Sequence, residues 1–177
     1  MTVIAWDGKT LAADKRSTSE GLPRTVTKVR HFVLSKHYEV LCGASGDESA
    51  CCETMEWVRR GMDHGAFPQC QRNRESACDL IVIERRWDEA SERFLVRQLK
   101  FAKSPVPAEV EDRFLAIGSG RDYAMAAMHL GKPAVEAVEL ACLYDVFCGN
   151  GLDTVSFMET AQPARACPEP YAPAVAV

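Results

Sequence analysis

The chain opens with Met1-Thr2-Val-Ile-Ala-Trp-Asp-Gly-Lys-Thr-Leu-Ala-Ala-Asp14. Two short, mainly apolar runs flank the pair Asp7-Gly8, and an Asp-Gly pair between such runs is typical of a tight β-hairpin. The sequence therefore predicts two antiparallel strands over residues 2–6 and 10–13. Asp14 then stands at the end of the second strand.

Thr2 becomes a candidate nucleophile if Met1 is removed, and methionine before a small residue is readily trimmed. A terminal threonine carries a hydroxyl nucleophile and an α-amino base, and the unperturbed pKa of such an amine is about 7.7–8.0. The site needs an acidic group to hold the terminus and a nearby cation to keep the amine neutral. Asp14 and Lys28 are the candidates, although aspartate at a strand end is often a turn residue and lysine in a strand is often a solvated charge.

The length and composition fit a single globular domain. The chain has 177 residues, 47% hydrophobic and 26% charged, with a formal net charge of −4. That acidic balance argues against nucleic acid as the main partner. No run approaches the roughly 20 apolar residues that a membrane span needs, and Asp7, Lys9 and Asp14 interrupt any signal-peptide pattern. We therefore expect a cytoplasmic protein with no membrane partner.

The cysteines indicate packing and not a metal centre. There are eight of them, at Cys42, Cys51, Cys52, Cys70, Cys78, Cys142, Cys148 and Cys167. No Cys-x-x-Cys pair and no accompanying histidine pair is present, so a zinc site has little support. We expect reduced thiols that behave as small buried hydrophobes, and we expect no cofactor.

Alternating and helical patterns continue along the amino-terminal half. Residues 24–29, which include Lys28, read as a strand, and residues 32–35 and 39–43 read as a second hairpin. Small residues follow, and the spacing of Ser45 and Glu48 predicts a helix capping box at the start of a helix that runs to about residue 62. The amide of Gly43 is a candidate oxyanion donor, although glycine here also simply permits a tight turn.

The carboxy-terminal half predicts further strands and then two helices. Strands are expected at 78–84, 94–99 and just before Gly118-Ser-Gly120, and the two helices meet at a Gly131-Lys-Pro133 corner. A last strand is expected at 152–158, and an Ala/Pro-rich tail follows at 159–177. Separate runs of strands and helices indicate an α+β domain over residues 1–158, with helices on both outer faces of a sheet pair.

Five motifs in this order resemble the proteasome-type β subunits, and most closely the bacterial heat-shock peptidase subunits and other bacterial proteasome homologues. They are Thr2-Val-Ile-Ala with Leu11-Ala-Ala-Asp-Lys-Arg-Ser-Thr18, then Thr27-Lys-Val29, Leu41-Cys-Gly-Ala-Ser-Gly-Asp47, Ile117-Gly-Ser-Gly120 and Tyr144-Asp-Val-Phe-Cys-Gly-Asn-Gly151. The resemblance spans residues 2 to about 158. It implies a four-layer α-β-β-α sandwich of the N-terminal nucleophile hydrolase type, and a threonine-type endopeptidase.

The resemblance also implies roles for individual residues. Thr2 would be the nucleophile, Asp14 would orient it, Lys28 would tune it, and the Gly43 amide would form the oxyanion hole. Ser119 and Asp145 match the family's network around the terminal amine. Cys148 stands where the family commonly has serine, and a thiol is the weaker hydrogen-bond partner. The substrate-binding residues would be those that pair with or accommodate a peptide strand, namely Ser17, Thr18, Leu41 and Ser45.

The implied assembly is a homo-oligomer of stacked rings that encloses the active sites. The substrates would be peptides or unfolded proteins, and an ATP-dependent unfoldase would be a possible partner. Two alternatives stay open at this stage. One is a catalytically silent ring subunit that retains Met1, and the other is a different amidohydrolase with the same fold that cleaves small amides.

Overall fold

The computed structural model describes residues 2–19, 21–72 and 78–157. The expectations about the removal of Met1 and about the tail at 159–177 concern residues outside these ranges. No helix in the described part of the chain combines the length and the apolar character that a membrane crossing needs.

The described residues form eleven strands and three α-helices. The strands are β1 (Val3–Trp6), β2 (Thr10–Asp14), β3 (Arg16–Ser19), β4 (Leu22–Thr25), β5 (Val29–Ser35), β6 (Tyr38–Gly46), β7 (Cys78–Asp88), β8 (Arg93–Phe101), β9 (Ala108–Val110), β10 (Leu115–Gly118) and β11 (Leu152–Ser156). The helices are α1 (Glu48–Arg59), α2 (Arg121–His129) and α3 (Ala134–Tyr144), with short 3-10 helices at His64–Ala66 and Gln69–Arg72.

The strands form antiparallel sheets. A four-stranded sheet has the order β10-β1-β2-β11, a five-stranded sheet has the order β5-β6-β7-β8-β9, and β3 pairs with β4 as a separate hairpin. The predicted hairpin at the amino terminus is β1–β2, with its turn at Asp7 to Thr10. The α+β class expected from the element order is confirmed.

The two larger sheets pack face to face, and the alternation of side chains in β1 shows how. Ile4 and Trp6 point into an apolar cluster shared with Leu41 and Ile81 of the five-stranded sheet. Val3 and Ala5 point the other way and pack with α2 and α3. A strand covered on both faces reads as a continuous apolar run, which is why β1 shows no polar alternation. Helix α1 packs on the outer face of β6 and β7.

Helix α1 begins differently from the sequence prediction. The capping box at Ser45 is wrong, because Ser45 belongs to β6 and Asp47 caps the helix, with its Oδ1 accepting from the Ala50 amide at 2.9 Å. Aspartate directly before the helix can reach the free amides of the first turn, whereas a residue still paired in a strand cannot. The helix also ends at Arg59, three residues before the predicted end.

The strand predicted over residues 24–29 is also wrong. β4 ends at Thr25 and β5 begins at Val29, so Lys28 lies in the connection between two different sheets. In this connection the Val26 amide donates to the Lys15 carbonyl at 2.8 Å, and the Lys28 carbonyl accepts from Ala44 at 3.4 Å. The chain leaves the β3–β4 hairpin here and joins the five-stranded sheet.

Thiol accessibility gives a test of this core. Cys42 and Cys148 are buried, and burial is the main cause that raises the pKa of each thiol to about 12, whereas Cys52 is exposed. At pH 8 a thiol with such a pKa is ionised in about one molecule in ten thousand, and the thiolate is the reactive form. We expect iodoacetamide to alkylate Cys52 in the native protein while Cys42 and Cys148 stay unmodified. Timed peptide mass mapping measures this.

The control for this labelling experiment is the same protein in denaturant, in which all three thiols should react at similar rates. Alkylation of native Cys42 as fast as Cys52 would contradict the burial of β6 between α1 and the opposite sheet.

Candidate active site

Thr2 lies directly before β1 and is nearly fully buried between two segments of the chain. Its backbone nitrogen donates to Ser119 Oγ at 3.3 Å, and its carbonyl oxygen accepts from the Gly120 amide at 3.2 Å. Gly118, which directly precedes Ser119, has φ +92°, and a Cβ added to it would lie 2.0 Å from the Thr2 carbonyl oxygen. The turn from Gly118 to Gly120 therefore encloses Thr2 closely, and only glycine fits at its first position.

Asp14 anchors the backbone next to Thr2. Its carboxylate is fully buried, and its Oδ1 accepts from the Val3 amide at 3.0 Å. Its Oδ2 accepts from the amides of Arg16 at 3.1 Å and Gly149 at 3.0 Å. A buried carboxylate needs such donors to offset its lost hydration. One side chain thus joins the first strand, the end of the second strand and the loop before the last strand.

Lys28 is the cation that pairs with the buried Asp14 carboxylate. Its Nζ donates to Asp14 Oδ1 at 2.7 Å and to the Arg16 carbonyl at 2.5 Å, and its side chain is buried. The pair is therefore a buried ion pair with further hydrogen bonds on both partners, which is the geometry that such a pair needs to form at all. Because Val3 is bonded to the same carboxylate, the ammonium group is held close to the backbone at Thr2.

A second polar group reaches Thr2 from the other side. Cys148 Sγ donates to Asp145 Oδ2 at 3.3 Å and lies 4.0 Å from Ser119 Oγ, which in turn contacts the Thr2 nitrogen. Burial opposes the ionisation of Asp145, but hydrogen bonds from Ser119, the Phe147 amide and Cys148 outweigh it, and the pKa of this carboxyl lies below its usual value. Asp145 is therefore an anion at neutral pH.

Substitution of Cys148 tests whether its thiol acts as a hydrogen-bond donor. In Cys148→Ser a hydroxyl can still donate to Asp145, and we expect the free energy of unfolding to stay within about 1 kcal/mol of the native value. In Cys148→Ala the carboxylate loses this donor, and we expect a loss of about 1–3 kcal/mol. Urea denaturation of both variants measures the difference. Equal stability of the two variants would show that the contact is packing alone.

Arg16 and Gly149, which were not among the predicted site residues, hold the loop around Asp145. Arg16 Nη1 donates to the Val146 carbonyl at 2.6 Å, and its guanidinium packs against Gly149, whose φ is +145°. The Lys15 amide donates to the Gly149 carbonyl at 2.9 Å. The run Gly149-Asn-Gly151 has positive φ at all three residues. The Gly149-Asn-Gly151 run is the sequence signal that indicates this loop, since glycine and asparagine tolerate positive φ.

An open cleft of about 470 Å³ adjoins Thr2 and Lys28. One wall is formed by residues that precede or belong to β5, among them Val26, Lys28, Arg30 and Phe32. The opposite wall is α1, which contributes Glu48, Cys51, Cys52, Met55, Glu56 and Arg59. Ser17 lies at the rim, and its Oγ donates to Glu48 Oε2 at 2.9 Å. A cleft of this volume can accommodate a side chain of a bound peptide.

The structure brings some of the sequence-selected residues together and leaves others apart. Thr2, Asp14, Lys28, Ser119, Asp145 and Cys148 converge, and Ser17 lines the cleft. Leu41 is fully buried between the two sheets and does not reach the cleft. Thr18 is exposed on β3 and is not part of the lining. Ser45 Oγ lies 3.2 Å from the position of a Cβ on Gly118, beside the turn around Thr2.

Gly43 lies in the middle of β6, opposite Val29 on one side and Ile81 on the other. A Cβ there would meet the side chains of Ile4 and Val29 at 3.0–3.1 Å, so glycine is required by the packing of the two sheets. The Ala44 amide donates toward β5, and successive amides of a strand alternate in direction, so the Gly43 amide points toward β7. The part of β6 that lines the cleft is Ala44 and Gly46.

No protein-family model matches the chain, and a search of curated proteins finds no match. Solved structures do share the fold. Anbu (ancestral beta-subunit) from Yersinia bercovieri superposes with a TM-score of 0.67 at 11% identity, over 89% of this chain and 81% of that one.

Two further structures agree with this result. Anbu from Hyphomicrobium sp. strain MC1 gives a TM-score of 0.68 at 12% identity, over 89% of this chain and 82% of that one. A structure described as the helical assembly of the Anbu complex from Pseudomonas aeruginosa gives 0.67 at 11% identity, over 89% and 81%. At this identity the likeness shows a common fold.

Proposed function

We propose that the chain is an N-terminal threonine peptidase that hydrolyses peptide bonds by acyl transfer from Thr2. The observation that carries the proposal is the buried Asp14–Lys28 pair, which is bonded to the backbone beside Thr2 at the end of an open cleft. The likeness in fold to Anbu, described as an ancestral beta-subunit, supports it. The packing of α1 on one sheet and of α2 and α3 on the other supports a four-layer sandwich of the N-terminal nucleophile type.

The proposed reaction has two stages. The Thr2 hydroxyl attacks the carbonyl carbon of the peptide bond, and the free α-amine of Thr2 accepts the hydroxyl proton and passes it to the leaving amine. A water molecule then hydrolyses the ester that remains on Thr2. Lys28 supports the neutral amine and the developing alkoxide by its charge, and Asp14 holds both Lys28 and Val3 in place.

The remaining groups would orient the Thr2 amine, stabilise the oxyanion and bind the substrate strand. Ser119 contacts the Thr2 nitrogen and is supported by Cys148 and Asp145, so this network would orient the amine. We assign the oxyanion donor to the backbone of β6 at Gly46, which lines the cleft beside Thr2, because the Gly43 amide points toward β7 and the Ala44 amide donates to the Lys28 carbonyl. Ser17 at the rim of the cleft would pair with the substrate strand.

Removal of Met1 is the step that would create the base. While Met1 is attached, the Thr2 nitrogen is an amide, which cannot accept a proton at neutral pH. The proposal therefore requires a methionine aminopeptidase or an equivalent trimming step. A chain that keeps Met1 would be a catalytically silent subunit of the same fold.

We also propose that the protein acts as a homo-oligomer. Six large apolar side chains are exposed or partly exposed around the end of α3: Tyr123, Leu140, Leu143, Tyr144, Val146 and Phe147. Tyr123 and Tyr144 stack with their ring centroids 5.8 Å apart. Exposed large apolar side chains grouped in this way indicate an interaction site, and the Anbu complex of Pseudomonas aeruginosa forms a helical assembly. Light scattering that shows a stable monomer would contradict this proposal.

Enclosed rings would admit peptides or unfolded proteins as substrates, and an ATP-dependent unfoldase would then deliver folded ones. This part of the proposal follows from assembly and has its own test. Degradation of an unfolded protein without ATP, and of a folded one only with an added unfoldase, is the expected result.

The decisive experiment is the intact mass of the purified protein before and after a peptide epoxyketone, an electrophile that reacts with a terminal threonine. We expect a mass without Met1 that gains one inhibitor per chain. Thr2→Ala should gain none, and Thr25→Ala, at an exposed threonine of β4, should gain the same amount as the native protein. A mass that keeps Met1 and gains nothing would favour the silent subunit, and hydrolysis of small amides alone would favour another amidohydrolase.

A further inference from the structure

The cleft beside Thr2 contains a cation that no acidic side chain of the described residues neutralises within ion-pair distance. Lys28, directly before β5, and Arg30 and Phe32 of β5 all line the cleft, whereas Val29 points into the core between the sheets, as the alternation of side chains along β5 requires. Two residues of a strand span about 7 Å. The Arg30 backbone therefore lies about 7 Å from that of Lys28, along the wall that leads away from Thr2.

Apart from Glu48, the other charged groups that line the cleft already form ion pairs. Lys28 binds Asp14, and Arg59 Nη2 lies 2.6 Å from Glu56 Oε1. Hydrogen bonds from Arg59 and Arg60 lower the pKa of Glu56 to about 2, so this carboxylate is ionised and its charge is balanced. Arg30 is exposed within the cleft and takes part in none of these pairs.

Glu48 is the one acidic group of the cleft without a cationic partner among the described residues, and its position differs from that of Arg30. It accepts a hydrogen bond from Ser17 Oγ at 2.9 Å and stands in the first turn of α1. The partial positive charge at the amino end of a helix stabilises a carboxylate there. Glu48 therefore lies at the rim, held by α1 and β3, whereas Arg30 lies on the wall formed by β5.

The surroundings of Arg30 would strengthen its attraction for an anion. Phe32 on the same wall, Met55 on α1 and Ala44 on β6 present apolar atoms to the cleft. A bound side chain would displace water from these surfaces, and an electrostatic contact is stronger where water is excluded. A guanidinium group also offers two parallel N–H donors, which match the two oxygens of a carboxylate.

We propose that Arg30 makes the cleft selective for peptides that carry glutamate or aspartate at the residue supplying the scissile carbonyl. The inference rests on the proposed function, because that residue's side chain is the one held nearest to Thr2 during attack. Its carboxylate would enter the cleft along β5 and bind the Arg30 guanidinium, with its methylene groups over Phe32 and Met55.

Four fluorogenic peptides that differ only at this residue, with glutamate, glutamine, leucine or lysine, test the proposal. We expect kcat/KM to be at least about tenfold higher for glutamate than for its neutral isostere glutamine. Arg30→Gln should remove this ratio, and Arg30→Glu should shift the preference to lysine. Circular dichroism of both variants checks that they fold. If the charge-reversed Arg30→Glu does not fold, the neutral Arg30→Gln still tests the proposal.

Lys36 provides the matched control, because it is an exposed cation in the turn between β5 and β6 and does not line the cleft. Lys36→Gln and Lys36→Glu change the net charge by the same amounts and should leave the glutamate-to-glutamine ratio unchanged. High salt should reduce this ratio in the native protein, because it screens an exposed guanidinium.

The possible failures are distinguishable. Cleavage of the peptides without a glutamate advantage, or an advantage that survives in Arg30→Glu, would overturn the selectivity while leaving the peptidase intact. If no peptide is cleaved and no epoxyketone adduct forms on Thr2, the proposed function itself fails, and the selectivity with it.

Discussion

Replacing Lys28 by methionine should lower the free energy of unfolding by about 3–5 kcal/mol, because it leaves the buried carboxylate of Asp14 without its cation. Asp14 is fully buried and would keep only backbone amides as donors. Methionine retains most of the length and apolar volume of the lysine stem, so the charge is the main loss. Under the proposed function the same variant should also lose epoxyketone labelling at Thr2. Urea denaturation followed by circular dichroism measures the stability.

Lys15 offers a control with the same bond length in a different environment. Its Nζ lies 2.7 Å from Asp153, as Lys28 Nζ does from Asp14, but the Lys15 and Asp153 side chains are 25% and 23% exposed. Partly solvated pairs contribute little, so Lys15→Met should cost about 1 kcal/mol or less. Equal losses in the two variants would contradict the structural role of the Lys28–Asp14 pair.

A double variant separates the charge from the contacts. In Asp14→Asn with Lys28→Met the buried position no longer holds an uncompensated anion, so part of the stability should return relative to Lys28→Met alone. Activity should not return, since both groups beside Thr2 are altered. A double variant that is less stable than Lys28→Met would show that the Asp14 carboxylate contributes mainly through its bonds to backbone amides.

Gly118→Ala should have an effect at least as large and prevent the native turn around Thr2 from forming. The added Cβ would lie 2.0 Å from the Thr2 carbonyl oxygen and 2.7 Å from its carbon, and both are backbone atoms that cannot rotate away. Relief of this clash requires β1 and β10 to separate locally, which removes buried apolar contacts. We expect a loss of at least about 4 kcal/mol, near the upper end for a single substitution. Thermal unfolding and soluble yield measure this outcome.

Gly131→Ala separates the cost of the steric clash from the cost of a positive φ. Gly131 has φ +88°, close to that of Gly118, but a Cβ there meets nothing within 4 Å. Only the cost of a left-handed conformation applies, which is about 1–2 kcal/mol. Gly118→Ala and Gly131→Ala should therefore differ by several kcal/mol. Similar melting temperatures would mean that the turn around Thr2 adapts.

The elements that the sequence predicted well are those with strong local signals. The β1–β2 hairpin and the corner between α2 and α3 each combine an apolar run with an Asp-Gly pair or with Gly and Pro, and the β5–β6 hairpin has an apolar run on each side of the polar pair Lys36-His37. The wrong predictions concern strands whose pairing partners are not determined by the local sequence. Nothing within residues 22–29 reveals that β4 belongs to a separate hairpin with β3 while β5 joins the larger sheet, because that choice depends on which strands are free to pair.

The candidate site shows the same division. Thr2, Asp14 and Lys28 were selected as candidates because a terminal hydroxyl, an acid and a cation are chemically distinctive, and the structure brings them together. Leu41 was expected to bind substrate because it matches a family position that shapes the specificity pocket, but its side chain is fully buried between the two sheets. The structure places Leu41 in the core and Arg30 in the cleft.

Arg16 and Gly149 escaped prediction for a related reason. Their contacts join residues that are 130 or 135 positions apart, namely Arg16 with the Val146 carbonyl and the Gly149 amide with Asp14. No periodicity or local motif encodes a partner at that distance. Only the pairing of β11 with β2 brings these two parts of the chain together.

That pairing has a consequence for the order in which the site is assembled during synthesis. A ribosome produces Thr2, Asp14 and Lys28 first, yet Ser119 follows Thr2 by 117 positions and Gly149 follows Asp14 by 135. Contacts of such long separation form late in folding. The nascent chain therefore carries Thr2 and Asp14 through most of translation without their contacts to Ser119 and Gly149, and the site is complete only when β11 pairs with β2. A peptidase built in this way would stay inert while its own chain is still unfolded and vulnerable to cleavage.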